Sequence, residues 1–299
     1  MSDTGGDTRV GASVVSGFFH RHRGLTPYLL LAPGLFWLAV FFAIPLGFLG
    51  YQSLQSGVFP NFEFTWAFSN FPDALSTYRP QLVRSFVYAG IATVVALVLA
   101  YPLVYWIAFR AGRWRNLFLL FIVAPFFVTY LIRTLAWLNI LADEGPVVGL
   151  LRSLHVLDED GRLLATSVAV VSGITYNFFP FMALPLYVSL EQIDPRLLEA
   201  AKDLYASSTQ AFLRVTLPLS APGIVAGTLL TFIPAAGDFI NARLLGTPNQ
   251  AMIGNVIQAK FLESLDYPTA ATLSFVLMAA ILGALLVYAR IVGTERLTG

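Results

Sequence analysis

Two ionisable side chains, Asp238 and Arg133, lie well inside long apolar runs of this 299-residue sequence. Charged groups in such runs are costly, and those that persist usually pair with one another or line a path for ions or solutes. Pro234 and Gly237 precede Asp238 and favour an interrupted helix, whose free carbonyls face a cavity in many transporters. The sequence therefore predicts either an ion pair of Asp238 with Arg133 or Arg243, or a solute pathway.

Polar and aromatic residues in the neighbouring apolar runs fall at a comparable depth. Singly, such residues are typical of interfacial belts or helix packing. Together they predict a cavity lining. The predicted substrate pathway consists of Asp238, Tyr130, Arg133, Trp137, Tyr176 and Asn177.

Motifs of known catalytic chemistry are absent from the sequence. It has no GxxxxGK[ST] nucleotide loop, no HExxH zinc motif and no GxSxG nucleophile elbow. There is no cysteine, and His20, His22 and His155 all lie outside the apolar runs, so a thiolate- or histidine-ligated metal centre within those runs is excluded. We therefore expect a non-catalytic chain with no cofactor and no metal site of its own.

The composition places the chain in a membrane. Hydrophobic residues make up 57% of it and charged residues only 12%, with a mean hydropathy of +0.72, whereas a soluble domain carries about 25% charged residues. The net charge of +1, with scattered basic residues, argues against nucleic acid as a partner.

Six apolar runs are each long enough to cross a hydrocarbon core of about 30 Å. We predict an all-α membrane protein with six transmembrane helices, at about 28–53, 85–109, 117–141, 167–190, 224–246 and 270–293.

The distribution of basic residues predicts the direction of these spans, because cytoplasmic loops are enriched in Lys and Arg. We predict a cytoplasmic tail at 1–27, a single transmembrane domain at 28–293 and a cytoplasmic C-terminus at 294–299. The basic residues assigned to the cytoplasm are Arg9, Arg21, Arg23, Arg110, Arg113, Arg115, Arg196, Lys202, Arg214, Arg290 and Arg296. On the opposite side acidic residues outnumber basic ones; the acids are Glu63, Asp73, Asp143, Glu144, Asp158, Glu159, Asp160, Glu263 and Asp266.

A polar, amphipathic segment at 191–223 separates two of the apolar runs, and its local signals predict two short helices joined by a turn. Asp194 and Pro195 provide an N-cap and a proline at the first helical position. Ser207 and Ser208 provide a second N-cap, and Pro218 is expected to end the second helix. The first helix carries an apolar stripe of Leu197, Leu198, Ala201, Leu204 and Tyr205. We call this segment the elbow.

The elbow resembles the EAA loop of binding-protein-dependent ABC importer permeases. That pattern is Glu-Ala-Ala, three residues, Gly, nine residues, an aliphatic residue, one residue and Leu-Pro. Here Glu199-Ala200-Ala201 is followed at the same spacing by Val215 and Leu217-Pro218. One position departs, since Tyr205 stands where the family has glycine, and tyrosine does not easily adopt positive φ.

The resemblance implies the type I ABC importer permease fold and a set of partners. These are a second homologous permease, two copies of an ATPase that binds ATP and Mg²⁺, and an external substrate-binding protein, all acting at a bacterial inner membrane. It also implies that the elbow contacts the ATPase through Glu199, Ala200, Ala201, Asp203, Leu204, Tyr205, Ala206, Leu217 and Pro218.

Two further segments, 125–151 and 237–262, resemble the spermidine/putrescine branch of these permeases. The resemblance implies a small organic cation as substrate. Related branches carry iron, sulfate, opines or other amino compounds, and the residues alone also leave open a secondary transporter or channel that uses Asp238 and Arg133.

Overall fold

The structure is a computed structural model that describes residues 26–158 and 160–292. The predicted cytoplasmic C-terminus and all but the last two residues of the predicted tail at 1–27 lie outside this range. In chain order the helices are α1 (Thr26–Leu38), α2 (Ile44–Ser53), α3 (Asn70–Arg110), α4 (Arg115–Val123), α5 (Tyr130–Ile140), α6 (Pro146–Ser153), α7 (Ser167–Glu191), α8 (Pro195–Asp203), α9 (Ser208–Ala211), α10 (Leu217–Leu219), α11 (Ala221–Ala236), α12 (Ile240–Leu245), α13 (Ile253–Gln258) and α14 (Tyr267–Val292).

Shorter elements connect these helices. The π-helical segments are Ala39–Ala43, Phe212–Thr216 and Ala259–Glu263, and the 3₁₀ turns are Gly112–Trp114, Ala124–Phe127 and Pro248–Gln250. Two antiparallel strands, β1 (Gln55–Val58) and β2 (Asn61–Phe64), form a hairpin.

The apolar runs form the predicted membrane helices. In the described ranges four helices are long and apolar enough to cross a membrane, and the number rises to six when each of two bent helix pairs is counted as one span. The first span, Leu31–Ser53, runs through α1, the π segment and α2, and its most apolar stretch has no buried residue. The second is longer than predicted, because α3 begins at Asn70 and continues past a kink at Tyr78.

The third span is not the continuous helix that was predicted at 117–141. It is bent by 98° between the Gly112–Phe127 and Tyr130–Ile140 segments. Val128 and Thr129 have extended ψ angles of 136° and 146°, so the helical hydrogen bonding stops there and restarts in α5. The apolar pattern continues across the break, and hydropathy therefore gave no sign of it.

The fifth span, predicted at 224–246 with an interruption favoured by Pro234 and Gly237, is interrupted in the structure. α11 ends at Ala236, the backbone leaves the helical conformation over 237–239, and α12 begins at Ile240. The helix-breaking tendency of Gly237 is confirmed, whereas Pro234 stays inside α11.

Small residues allow α3, α7 and α11 to pack closely at the centre of the bundle. Ala89, Ala92, Ala96 and Ala100 form a fully buried row on α3. On α11, a Cβ added at Gly227 would lie 2.9 Å from the carbonyl oxygen of Met182 on α7. In lipid, where apolar side chains gain little from mutual burial, such close backbone approach supplies much of the packing energy.

Two polar contacts define the ends of the bundle. Tyr88 of α3 bonds Ser167 at the start of α7, at 2.6 Å. Arg115 at the start of α4 pairs with Glu191 at the end of α7, at 2.8 Å. The hairpin precedes α3 and the elbow follows α7, so these two segments lie at opposite ends, which we call the hairpin end and the elbow end.

Candidate functional site

Asp238 lies in the break between α11 and α12 and is only 6% exposed. Its carboxylate accepts hydrogen bonds from the hydroxyl of Tyr130 and, on Oδ1, from the backbone N–H of Asn241 at 2.9 Å. Asn241 Nδ2 donates to Oδ2 at 3.2 Å. Several donors on one carboxylate offset much of the cost of removing it from water.

A buried polar network extends from this carboxylate to two further spans. Asn177 of α7 donates through Nδ2 to Asn241 Oδ1 and to Thr134 Oγ1, both at 3.2 Å. Gly173 allows this approach, because a Cβ there would lie 2.5 Å from Asn241 Oδ1. The network therefore joins α5, α7 and the break in the fifth span.

The carbonyl of Phe239 in the break is also satisfied. Asn255 of α13 donates through Nδ2 to the carbonyl of Phe239 at 2.7 Å. The carbonyl of Phe239 also accepts the backbone N–H of Arg243 at 3.2 Å as α12 begins. The interruption is thus a specific, hydrogen-bonded feature of the fold.

Arg133 is buried beside this network without joining it. Its guanidinium carbon lies 5.3 Å from the ring centroid of Phe126 and 5.6 Å from that of Tyr130, within the range of cation–π attraction. Its Nε and Nη1 atoms have no hydrogen-bond partner in the described part of the chain.

The sequence left open an ion pair of Asp238 with an arginine, but in the structure the carboxylate is held by hydrogen bonds instead. Among residues 26–158 and 160–292 no basic side chain lies within salt-bridge distance of Asp238. Arg243 instead points to Glu263 at 3.3 Å and Gln258 at 3.1 Å.

The predicted pathway residues fall into two groups. Tyr130, Asn177 and Asp238 share the polar network, with Arg133 stacked against it. Trp137 and Tyr176 pack on each other instead, with ring centroids 5.5 Å apart, and line an apolar groove of about 830 Å³ between α3, α4 and α7.

The first helix of the elbow forms as its signals predict. Asp194 caps α8 by accepting the N–H of Arg196 at 2.9 Å, and Pro195 takes the first helical position. Tyr205 does adopt positive φ, at 61°. Its N–H bonds the Lys202 carbonyl and the Ala206 N–H bonds the Ala201 carbonyl, a Schellman motif in the position that glycine usually occupies.

α8 lies on the surface of the chain. None of its residues is buried, and Leu204 and Tyr205 at its end are 82% and 97% exposed. Two adjacent apolar side chains so fully exposed are unusual unless another surface covers them. The predicted coupling residues Glu199, Ala200, Ala201, Asp203 and Ala206 lie with them on α8 and its turn.

The second elbow helix differs from the prediction at Pro218, which does not end it. The helix continues to Leu219, and Leu217 before the proline remains helical at φ −62° and ψ −46°. The π-helical segment explains this, because the Leu217 N–H bonds the carbonyl of Phe212, five residues back. The widened turn gives the proline ring room that a regular α-helix would not.

This second helix is held against the membrane bundle, unlike α8. The ring of Phe212 lies between Tyr101 and Tyr105 of α3, with centroid separations of 5.5 and 5.8 Å. Ser220, at the 60° bend between α10 and α11, bonds the hydroxyl of Tyr101 at 2.8 Å. Leu217 and Pro218 therefore lie on the bundle side of the elbow, apart from the other predicted coupling residues.

Sequence reasoning missed Thr134, Asn241 and Phe212. Asn241 follows Asp238 by three residues, the spacing at which a carboxylate accepts a backbone N–H at a helix start, and this signal was available. The other two have ordinary residue types for their helices, and only tertiary contacts distinguish them.

Comparison with known proteins gives one consistent result. Residues 82–292 match the family described as binding-protein-dependent transport system inner membrane component. The chain is 37% identical over 256 residues to the spermidine/putrescine transport system permease protein PotB of Escherichia coli (strain K12), covering 85% of this chain and 93% of that protein. It is also 37% identical over 251 residues to the Haemophilus influenzae (strain Rd) protein of the same description, covering 82% and 88%.

A solved structure shares the fold. The crystal structure of a bacterial alginate ABC transporter, in complex with an alginate pentasaccharide-bound periplasmic protein, contains a chain that superposes with a TM-score of 0.75 at 18% identity. The match covers 95% of this chain and 98% of that one. The predicted type I importer permease fold is thereby confirmed.

The hydrogen-bond network predicts which partners of Asp238 are energetically coupled to it. In a double-mutant cycle measured by denaturant unfolding in micelles, we expect Tyr130→Phe and Asp238→Asn to be coupled by about 1–2 kcal/mol, because both changes act on the same charge-assisted hydrogen bond. We expect Arg243→Gln, the control, to be coupled to Asp238→Asn by less than about 0.5 kcal/mol. Arg133→Gln should not restore the stability of Asp238→Asn; a rescue would reinstate the ion pair.

Proposed function

The chain belongs to the binding-protein-dependent transport permease family, and from this membership we propose that it is one of two permease subunits of an ABC importer for polyamines such as spermidine and putrescine. The observation that carries the proposal is 37% identity to the PotB proteins over more than four fifths of the chain. As a member of the family it is a multi-pass inner membrane protein.

Family membership decides between the two classes of transporter that the sequence left open. A secondary carrier or channel that uses Asp238 and Arg133 has no need of an exposed cytoplasmic helix with the EAA spacing. Among importers, the similarity to PotB favours polyamines over iron, sulfate, opines or other amino compounds.

The elbow supplies the proposed contact with the ATPase. α8 and the turn that follows it carry exposed Glu199, Leu204 and Tyr205, a mixture of apolar and charged groups suited to a protein groove. ATP and Mg²⁺ bind to the ATPase in this proposal, and this chain acts without catalysis.

Motion of the ATPase reaches the pathway through the second elbow helix. A displacement of α8 is transmitted to Phe212, which α3 holds between Tyr101 and Tyr105. The bend at Ser220 then directs it into α11, and α11 ends at the polar network around Asp238. Rotation at this bend would change the hydrogen bonds of the network.

A second permease accounts for the apolar surface that this chain leaves uncovered. The first span exposes Leu35, Phe36 and Phe42 by more than half, and within the chain it packs mainly on α14. The apolar groove between α3, α4 and α7 is likewise open. A homologous subunit and membrane lipid together would cover both surfaces.

The remaining partner is an external binding protein at the hairpin end. The alginate transporter structure includes a periplasmic protein of that kind.

Basic residues at the elbow end, among them Arg110, Arg115 and Arg196, favour a cytoplasmic elbow and cytoplasmic termini. The acid-rich hairpin end is suited to a cationic substrate.

The first prediction concerns the ATPase contact. Leu204→Asp places a charge on the most exposed apolar part of the elbow, and we expect it to weaken ATPase binding by about 2 kcal/mol, roughly 30-fold, with the chain still inserted. Leu150→Asp is the control, since Leu150 is 59% exposed at the other end of the bundle. ATPase pull-down at the wild-type level by the Leu204 variant would contradict the contact.

The second prediction separates two roles of Tyr205. In the first role the ring makes no contact with the ATPase, and Tyr205 only occupies a position whose positive φ suits glycine. Tyr205→Gly then relieves about 1 kcal/mol of strain and keeps or raises substrate-stimulated ATPase activity. Tyr205→Ala is the matched control, because it removes the ring and keeps the Cβ that causes the strain. Equal loss of activity in both variants would show that the ring itself binds the ATPase.

The third prediction tests the substrate. An amine crossing near Asp238 must exchange water for fixed acceptors, so Asp238→Asn should slow spermidine uptake about tenfold or more in reconstituted vesicles, with assembly and basal ATPase activity intact. Asp158→Asn, at an exposed acid of the hairpin end, should leave uptake unchanged. Unchanged uptake with Asp238→Asn would remove Asp238 from the pathway, and absence of spermidine uptake by the wild-type complex would refute the polyamine assignment.

A further inference from the structure

The second strand of the hairpin, β2, has one aromatic face and one polar face. The first strand is mixed, since Gln55 pairs with Phe64 and the exposed Val58 pairs with Asn61. Along β2 the residues alternate, with Phe62 and Phe64 on one side and Asn61 and Glu63 on the other. Glu63 is the only charged residue between positions 54 and 72. Strict alternation is typical of a strand that separates an apolar from an aqueous environment.

The aromatic face continues as a row of contacting rings that begins inside the first span. Tyr51 stacks on Phe64 with centroids 4.9 Å apart and planes within 2°. Phe64 contacts Trp66 at 4.9 Å, and Trp66 stacks on Phe68 at 6.1 Å. At the other edge of the hairpin Phe62 contacts Tyr267, the first residue of the last span, at 5.7 Å.

The position of the first span fixes the depth of this row. Leu31–Ser53 has 23 residues, which at a rise of 1.5 Å per residue gives about 34 Å, close to one hydrocarbon thickness. The hairpin begins at Gln55, directly beyond the end of this span. Both its ring partners in the spans, Tyr51 and Tyr267, are terminal or nearly terminal residues of their helices.

We propose that the aromatic face of the hairpin lies in the phospholipid headgroup region and holds the ends of the first and last spans at that depth. Aromatic rings with an apolar body and a polar tip, here Tyr51, Trp66 and Tyr267, are favoured at this level of a bilayer. Trp66 and Phe68 are 63% and 62% exposed and are the residues left for lipid to cover.

Two features exclude the alternative locations. A two-stranded hairpin has unpaired N–H and C=O groups on both outer edges, which cannot be satisfied in the hydrocarbon core. A binding protein approaches from the aqueous side, and that side carries Asn61 and Glu63, whereas the rings face the span ends.

The test uses the tryptophan emission of the full chain, assembled with its partner subunits in vesicles. Subtracting the emission of Trp66→Phe from that of the wild type isolates the signal of Trp66. We expect Trp66 to be quenched about twofold more by phospholipid brominated near the headgroup than by phospholipid brominated near the chain ends, and to be shielded from aqueous iodide.

Trp37 provides the matched control because it is as exposed as Trp66, at 63%, but lies within the length of the first span. The difference signal for Trp37→Phe should show the deeper quenching pattern. A Phe68→Trp change in the Trp66→Phe chain gives an independent reporter on the next ring, which should repeat the shallow pattern.

Three outcomes would overturn the proposal. Free access of iodide to Trp66 without lipid quenching would place the rings in water. Stronger quenching by bromine at the chain ends would place them in the hydrocarbon core. Access to iodide that is lost only when the binding protein is added would assign the surface to that protein.

Discussion

A buried carboxylate at a helix break is the constraint on which the rest of the membrane bundle depends. Asp238 is placed where water is scarce, and its charge is tolerable only because Tyr130 and Asn241 donate to it. For Tyr130 and Asn241 to reach the carboxylate, α5 must begin directly after the bend in the third span and α12 must begin just beyond Asp238. Asn177 then ties α7 to the same group of atoms, so three spans are fixed relative to one another by one set of hydrogen bonds.

The same constraint gives the bundle a route for mechanical coupling. α11 has the polar network at one end and the bend at Ser220 at the other, and both ends are held by hydrogen bonds to other spans. Between them, small residues such as Gly227 let α11 pack closely on α7. A helix held in this way transmits displacement better than it absorbs it, because close-packed interiors deform little. The exposed, strained turn at Tyr205 lies outside this rigid part.

The two ends of the bundle expose different kinds of surface. At the elbow end, an apolar stripe with charged neighbours stays exposed, which is the character of a surface for another protein. At the hairpin end, aromatic rings line up at the level where two spans terminate, with a polar face turned away. The first span packs mainly on α14 within this chain, and the ring contacts at the hairpin end set its depth in the bilayer.

The sequence by itself determined the features that depend on neighbours within one or two helical turns. Hydropathy located the membrane helices, Asp194 and Ser207 marked the two helix starts of the elbow, and the EAA spacing identified the family. Only the tertiary structure decided that Asp238 bonds Tyr130, 108 residues away, rather than an arginine, and that Trp137 and Tyr176 lie apart from it. The bend at 128–129 and the helical Pro218 were missed for a local reason, because the apolar pattern continues across the bend and a π-helical hydrogen bond from Leu217 to Phe212 keeps the proline in the helix. The bond from Tyr130 to Asp238 was hidden for a different reason: the two residues come from segments distant in the chain, and local residue patterns carry no record of such contacts.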